Sequence, residues 1–139
     1  MKKIIAVVVV VVLSGLLISC GGPMGGSPST TLHVDMNEFV FEPTDFRIPA
    51  GEKITLELEN SGEIEHDFLI LKKGIEVKGK FDHDKQMGDV FFHAMLQPGK
   101  SGTFTFTAPS EPGDYQIVCG IAGHFQAGMI AKLTVVAKK

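Results

Sequence analysis

The chain has 139 residues, and its formal charge is −3 because 16 acidic side chains outnumber 13 basic ones. This length predicts one domain with a modest core. A mildly acidic composition without a basic cluster argues against nucleic acid as a partner, and it permits docking to a basic patch on another protein.

Residues 1–19 have the pattern of a bacterial lipoprotein signal peptide. The start is basic, residues 4–13 are apolar, and residues 17–20, Leu-Ile-Ser-Cys, resemble a lipobox. By that resemblance Cys20 becomes the lipidated first residue, and it anchors the protein to a membrane outside the cytoplasm, in the periplasm or at the cell surface. An uncleaved transmembrane helix is disfavoured because Ser14 interrupts an apolar run that needs about 20 residues to span a bilayer.

The segment that follows predicts a tether and then a domain. Removing residues 1–19 leaves 120 residues and a net charge of −5. Residues 20–30 are rich in Gly, Pro and Ser, which predicts a flexible tether, so the globular domain is expected at 31–139. With Cys20 acylated, Cys119 is left as a single thiol that cannot form an intramolecular disulfide. A lone thiol in an exported protein is either reactive or held by a metal.

From Thr31 onward, short alternating segments are separated by Gly, Pro and Asn, a pattern typical of an all-β sandwich or barrel. The predicted strands in chain order are 32–41, 53–59, 67–71, 102–107, 115–119 and 129–136. Residues 75–97 are less regular: 78–89 read as a solvated loop, and 90–96 as either a short helix or an extra strand.

The interior should be filled largely by phenylalanine, because the chain has no Trp. The residues predicted for the core are Phe39, Phe41, Phe46, Phe91, Phe92, Phe104 and Phe106. The sequence has no nucleotide-binding glycine signature, and Ser101 has no His and acid nearby to activate it as a nucleophile.

Residues 119–129 carry a possible metal site with Cys119, His124 and Met129 at Cys-x4-His-x4-Met spacing. Thiolate and thioether are soft ligands and imidazole is intermediate, so this set suits copper cycling between Cu(I) and Cu(II). Three glycines in the loop allow it to fold back on one ion. Met129 could instead fill a gap in the core, but its fixed distance from His124 favours an axial ligand.

A type 1 copper site needs a second imidazole, which must come from elsewhere in the chain. His66 is preferred because it lies between the turn at 60–62 and a buried strand, at the expected rim of the Cys119 loop. His33 and His93 have no partner in sequence and should occupy ordinary strand positions. The segment 82–84, Asp-His-Asp, could bind a second metal weakly, but a solvated loop is the favoured interpretation.

Several of these motifs together resemble the cupredoxins, the small blue copper proteins. They are Glu-His-Asp-Phe at 65–68, the Cys-x4-His-x4-Met loop, Pro-Gly-Asp-Tyr at 112–115 and the Gly-Met strand start at 128–129. The resemblance covers roughly residues 31–139. The loop spacing is most similar to that of auracyanin-type members and is one residue from that of azurin.

The resemblance implies a Greek-key β-sandwich holding one type 1 copper ion by His66, Cys119, His124 and, weakly, Met129. It implies a one-electron carrier. We expect no enzyme activity, because all four copper positions would be filled by protein and none is left open for a substrate, and we expect a monomer. Redox partners would dock at the exposed edge of the site, near His124, Ile121, Ala122 and Phe125. The alternatives are a periplasmic copper-binding and delivery module and, less favoured, a cell-surface interaction domain.

Two features differ from the common pattern of cupredoxins. Asp67 stands where many members carry Asn, and its negative charge would favour Cu(II). Ile121 and Ala122 keep backbone N–H groups where several members have Pro, and an added donor to the Cys119 sulfur would favour Cu(I). Because the two changes act in opposite directions, the sequence does not predict the reduction potential.

Overall fold

Two β-sheets packed face to face make up the structure, a computed structural model that describes residues 26–138. The strands are β1 (Thr31–Asn37), β2 (Val40–Glu42), β3 (Asp45–Pro49), β4 (Lys53–Asn60), β5 (His66–Leu71), β6 (Val90–Leu96), β7 (Ser101–Thr107), β8 (Gly113–Val118) and β9 (Ile130–Val136). A short helix, α1 (His83–Gln86), and a 3-10 turn (Met87–Asp89) precede β6. The predicted signal peptide and Cys20 lie outside the described residues.

The sheets have the orders β2-β1-β4-β7 and β3-β9-β8-β5-β6. Strand β1 runs parallel to β4, and β3 runs parallel to β9. The remaining neighbours are antiparallel. The predicted all-β, Greek-key sandwich is therefore confirmed. In the described range, no helix has the length and apolar character needed to cross a membrane.

Strand β4 shows how the alternating pattern builds the core. Ile54, Leu56 and Leu58 face inward and are buried, while the residues between them are more exposed. They belong to the same buried cluster as Phe68 and Ile70 of β5 in the opposite sheet. Full burial of one such side chain stabilises the fold by roughly 1.5–3 kcal/mol, so this interior rigidly supports the ends of both strands.

The predicted phenylalanine core is correct for five residues and wrong for two. Phe41 and Phe46 pack edge-on against Phe68. Phe92, Phe104 and Phe106 are half-buried and pack on the main core. Phe39 and Phe91, in contrast, are each 40% exposed.

Phe39 is exposed because the predicted strand 32–41 is not continuous. The chain turns between β1 and β2, and Phe39 has a φ of 63° in that turn. Phe91 is exposed because 90–96 forms β6, the edge strand of its sheet, whose outward residues alternate with inward ones. Strand β3 was missed because it pairs with β9, which is remote in sequence.

Residues 72–89 fold over the outer face of the five-stranded sheet. Val77 and Phe81 are buried there against Leu69 and Leu71 of β5 and Val118 of β8. The prediction of a solvated loop at 78–89 is therefore wrong at Phe81, whose apolar ring covers the sheet. This second cluster covers the outer side of β5, which begins at His66, and of β8, which ends directly before Cys119.

Candidate metal centre

His66, Cys119 and His124 converge at one end of the sandwich. The Nδ1 atoms of His66 and His124 are 3.2 Å apart, and the Cys119 Sγ lies 3.3 Å from His124 Nδ1 and 4.0 Å from His66 Nδ1. All three residues are buried, and His124, the most accessible of them, is 6% exposed. The three residues that the sequence singled out as equatorial ligands are thus brought together by strands remote in sequence.

Met129 lies directly before β9, where its backbone joins the two ends of the loop 119–129. Its carbonyl accepts from the Cys119 N–H at 3.2 Å, and its own N–H donates to the His124 carbonyl at 3.0 Å. The side chain is fully buried in the main cluster beside Cys119. Its role as a weak axial ligand stays a prediction.

Glycine makes the loop geometry possible. Gly123 and Gly128 have φ values of 91° and 103°, a region that side chains with a Cβ rarely adopt. Between them, the Ala127 N–H donates to the Gly123 carbonyl at 3.0 Å, and the Gly128 N–H donates to the Phe125 carbonyl at 3.0 Å. These turns carry His124 back over Cys119.

Asn60 holds the turn that leads into His66. Its buried amide donates to the carbonyls of Ile64 at 2.8 Å and Leu96 at 3.0 Å, and its Oδ1 accepts from the Gly62 N–H at 3.0 Å. Three satisfied bonds in a buried position fix the backbone strongly, because breaking any of them would leave a desolvated polar group unpaired. These bonds therefore hold the turn that leads into His66.

Burial also sets the protonation of the three side chains. It lowers the pKa of His66, helped by repulsion from His124, and it lowers the pKa of His124. Burial raises the pKa of Cys119 to about 11, although the N–H groups of Asp67 and Ile121 act in the opposite direction. At neutral pH the imidazoles are free to ligate, while a metal must displace the thiol proton.

The donor set and its spacing fit a copper ion. Bonds of about 2.0–2.3 Å to nitrogen and sulfur in a trigonal plane place the ligand atoms roughly 3.5–4 Å apart, close to the observed separations. Two imidazoles, a thiolate and a nearby thioether are the donors of a type 1 site. His66 Nε2 is buried and has no hydrogen-bond partner within residues 26–138.

The other histidines lie outside this cluster. His33 pairs with Glu57 at 2.9 Å on the exposed face of β1, and His83 lies 4.0 Å from Asp84. Asp82 is engaged by Lys85 at 3.0 Å, and no second group of three or more His, Cys, Asp or Glu side chains is found in the described part of the chain. The side chains of segment 82–84 are thus not grouped around one point in the structure.

Three residues near the site were not predicted from the sequence. Asn60 continues the inward series of β4, so the alternation itself could have revealed its burial. Phe39 packs edge-on against His124 with ring centroids 5.1 Å apart, and no local signal indicates this contact. His93 bonds Asp67 across two strands, which needs the β5–β6 register to be known.

Comparisons with known proteins agree with the fold and with copper as the metal. A family model described as a cupredoxin-like domain matches residues 4–135. The copper-resistant cuproprotein CopI of Pseudomonas aeruginosa is 27% identical, over 77% of this chain and 76% of that protein. Auracyanin-B of Chloroflexus aurantiacus is 29% identical over 78% of this chain, although this chain covers only 53% of that relative.

A solved structure of dithionite-reduced auracyanin from Roseiflexus castenholzii superposes with a TM-score of 0.67 at 28% identity, covering 78% of this chain and 98% of that one. The fold and the buried His, Cys and His cluster define a copper-binding β-sandwich. The chain belongs to the cupredoxin family. Its cofactor is one type 1 copper ion.

Proposed function

We propose that the protein is a one-electron carrier whose copper ion is held by His66, Cys119, His124 and, weakly, Met129. The convergence of two imidazole nitrogens and one thiol sulfur within 4.0 Å in a buried site carries this proposal. Bound copper supplies the electron transfer by cycling between Cu(I) and Cu(II).

The protein's own residues limit rearrangement during that cycle. The donors converge because Asn60 fixes the turn before His66 and the loop bonds fix His124. Four protein side chains would fill the copper coordination positions and leave no open position for a substrate. We therefore propose a carrier rather than an enzyme.

The path for the electron would lead through His124. This ring is the most accessible of the three clustered side chains, and it contacts the exposed ring of Phe39. Exposed Ala122 and half-buried Ile121 and Phe125 belong to the same loop. We propose that redox proteins dock on this apolar rim, that the carrier works as a monomer, and that nucleic acid is not a partner.

Electron self-exchange between Cu(I) and Cu(II) copies tests this surface directly. Phe39→Asn should slow self-exchange by about tenfold, equivalent to ~1.4 kcal/mol of association free energy, because it removes an apolar contact beside His124. Asn tolerates the positive φ at this position, so the turn should persist. The rate is measured by NMR line broadening in mixed samples.

Phe91→Asn is the matched control, because Phe91 is also 40% exposed but lies on the outward face of edge strand β6. It should leave the self-exchange rate unchanged, and both variants should keep the wild-type spectrum. Equal slowing in the two variants, or no slowing in Phe39→Asn, would argue against electron transfer through the His124 rim.

A second candidate function is copper binding and delivery, which is favoured by the similarity to a copper-resistant cuproprotein. A buffer needs only to hold copper, so Phe39→Asn should still protect cells against copper. If protection instead depends on electron transfer through the rim, that variant should lose it while still binding copper. Copper tolerance of cells expressing each variant separates these roles.

We further propose that Cys20 is lipidated, that residues 20–30 tether the domain at 31–139, and that the protein works outside the cytoplasm. Cys119 is buried and free, so its thiol is shielded from the solvent of an oxidising compartment. Cys20→Ser should move the protein from the membrane fraction to the soluble fraction and remove metabolic labelling by fatty acid. Unchanged membrane attachment and labelling would contradict a lipid anchor at this position.

A further inference from the structure

Asp67, the residue that departs from the common pattern of the family, has a partner in the structure. The Nε2 atom of His93 lies 3.2 Å from Asp67 Oδ1. The Asp67 side chain is 2% exposed, while the His93 side chain is 36% exposed. A carboxylate at this depth requires a donor, since an unpaired buried charge is strongly destabilising. His93 supplies that donor from the solvent side of the sheet.

The same Asp67 contacts the thiol of the copper centre. Its backbone N–H donates to the Cys119 Sγ at 3.4 Å. Its Oδ2 lies only 2.8 Å from where a Cβ on Gly120 would be, so the carboxylate rests on the residue after Cys119. Burial lowers the pKa of His124, and the negative charge of Asp67 acts in the opposite direction. A shift of this carboxylate would therefore change both the hydrogen bond to sulfur and the field at the ligands.

The register of β5 and β6 explains why His93 can reach Asp67. Asp67 is opposite Met95 and Leu69 is opposite His93, so His93 and Asp67 are diagonal neighbours on the outward face of the sheet. Diagonal pairs are within reach of long or aromatic side chains. The contact thus follows from strand pairing. Leu69 and Phe81 of the second cluster lie, like Asp67 Oδ2, within 3.2 Å of the position of a Cβ on Gly120.

We infer that His93 is a positioning residue of the copper centre: its hydrogen bond fixes the Asp67 carboxylate, and thereby the N–H donated to Cys119 and the charge beside the ion. This inference rests on the proposed copper-ligand function. It predicts that His93, although it touches no ligand, sets the reduction potential through Asp67.

The test is a double-mutant cycle between His93 and Asp67. His93 is replaced by two amide side chains of different length, Gln and Asn. His93→Gln keeps an N–H donor near the position of Nε2, whereas the side chain of His93→Asn is one bond shorter and cannot reach Asp67. His93→Asn should shift the oxidised-to-reduced ratio toward Cu(II) by about tenfold, which is about 59 mV. His93→Gln should retain most of the wild-type potential. In an Asp67→Asn background, His93→Asn should have no further effect.

Two controls separate this inference from other causes. His33→Asn removes an exposed His–carboxylate pair on the other sheet and should not shift the potential. In metal-free protein, His93→Asn should accelerate hydrogen exchange at the Asp67 amide by about tenfold, and His93→Gln should not. The absence of a blue site in wild-type protein would overturn the proposed function, whereas the amide exchange can be measured without copper.

A potential that is unchanged in His93→Asn would overturn the inference. A shift of equal size in the Asp67→Asn background would also overturn it, because the effect would then bypass Asp67. If His93→Gln behaved like His93→Asn, the hydrogen bond could not be the cause, and that result too would overturn the positioning role.

Discussion

Copper(II)-loaded His66→Gly should lose the intense visible absorption of the wild-type protein and bind copper more than about 100-fold more weakly. Residues that only hydrogen-bond to metal ligands commonly contribute about 10–100-fold to metal affinity. Removal of a ligating imidazole beside Cys119 and His124 should therefore lower the affinity by more than that. The Nδ1 of His66 is 3.2 Å from that of His124, and the ring is completely buried. Titration of copper into the apoprotein, followed by its optical spectrum, measures both effects.

His83→Gly serves as the control. His83 is exposed at the start of the short helix α1, and its acidic partner Asp84 is 4.0 Å away. This variant should keep the wild-type colour and affinity. A full blue spectrum in His66→Gly would show that another histidine provides the second imidazole, and it would contradict the ligand assignment.

Gly120→Ala should destabilise the protein by ~1–3 kcal/mol, because one methyl group cannot be accommodated beside the copper centre without displacing its neighbours. A Cβ at position 120 would lie 2.7 Å from Leu69 Cδ1 and 2.8 Å from Asp67 Oδ2. Both atoms belong to packed, buried side chains, so the strain should fall on the segment that donates to Cys119. Thermal unfolding and the energy of the charge-transfer band should change together.

Gly88→Ala is the matched substitution, since a Cβ there would meet no atom within 4 Å. Its effect on stability should stay within about 0.5 kcal/mol, as for other surface substitutions, and its spectrum should be that of the wild type. Similar losses in the two variants would mean that the close packing of Gly120 against Asp67 does not constrain the site.

The features that were predictable from the sequence are those encoded locally. The alternation of Ile54, Leu56 and Leu58 specified β4 and its buried face. The spacing of Cys119 and His124 indicated a loop that folds back, because the residues that allow it, Gly123 and Gly128, are in the same short stretch. Local patterns were sufficient for most strands and for the selection of candidate ligands.

The features that were missed depend on contacts between distant parts of the chain. Strand β3 is defined by its pairing with β9, and the exposed ring of Phe39 is explained by a turn against His124. The bond between His93 and Asp67 requires the β5–β6 register. These contacts join residues that are far apart in sequence, so no local period could reveal them.

The central claim is a thiolate–copper centre that exchanges single electrons. The optical spectrum of the copper-loaded protein tests it most directly. Wild-type protein should show an intense visible thiolate-to-copper band that disappears after addition of one electron equivalent and returns on oxidation. Cys119→Ser should lack this band. A colourless wild-type complex, or a blue complex retained in Cys119→Ser, would contradict the account.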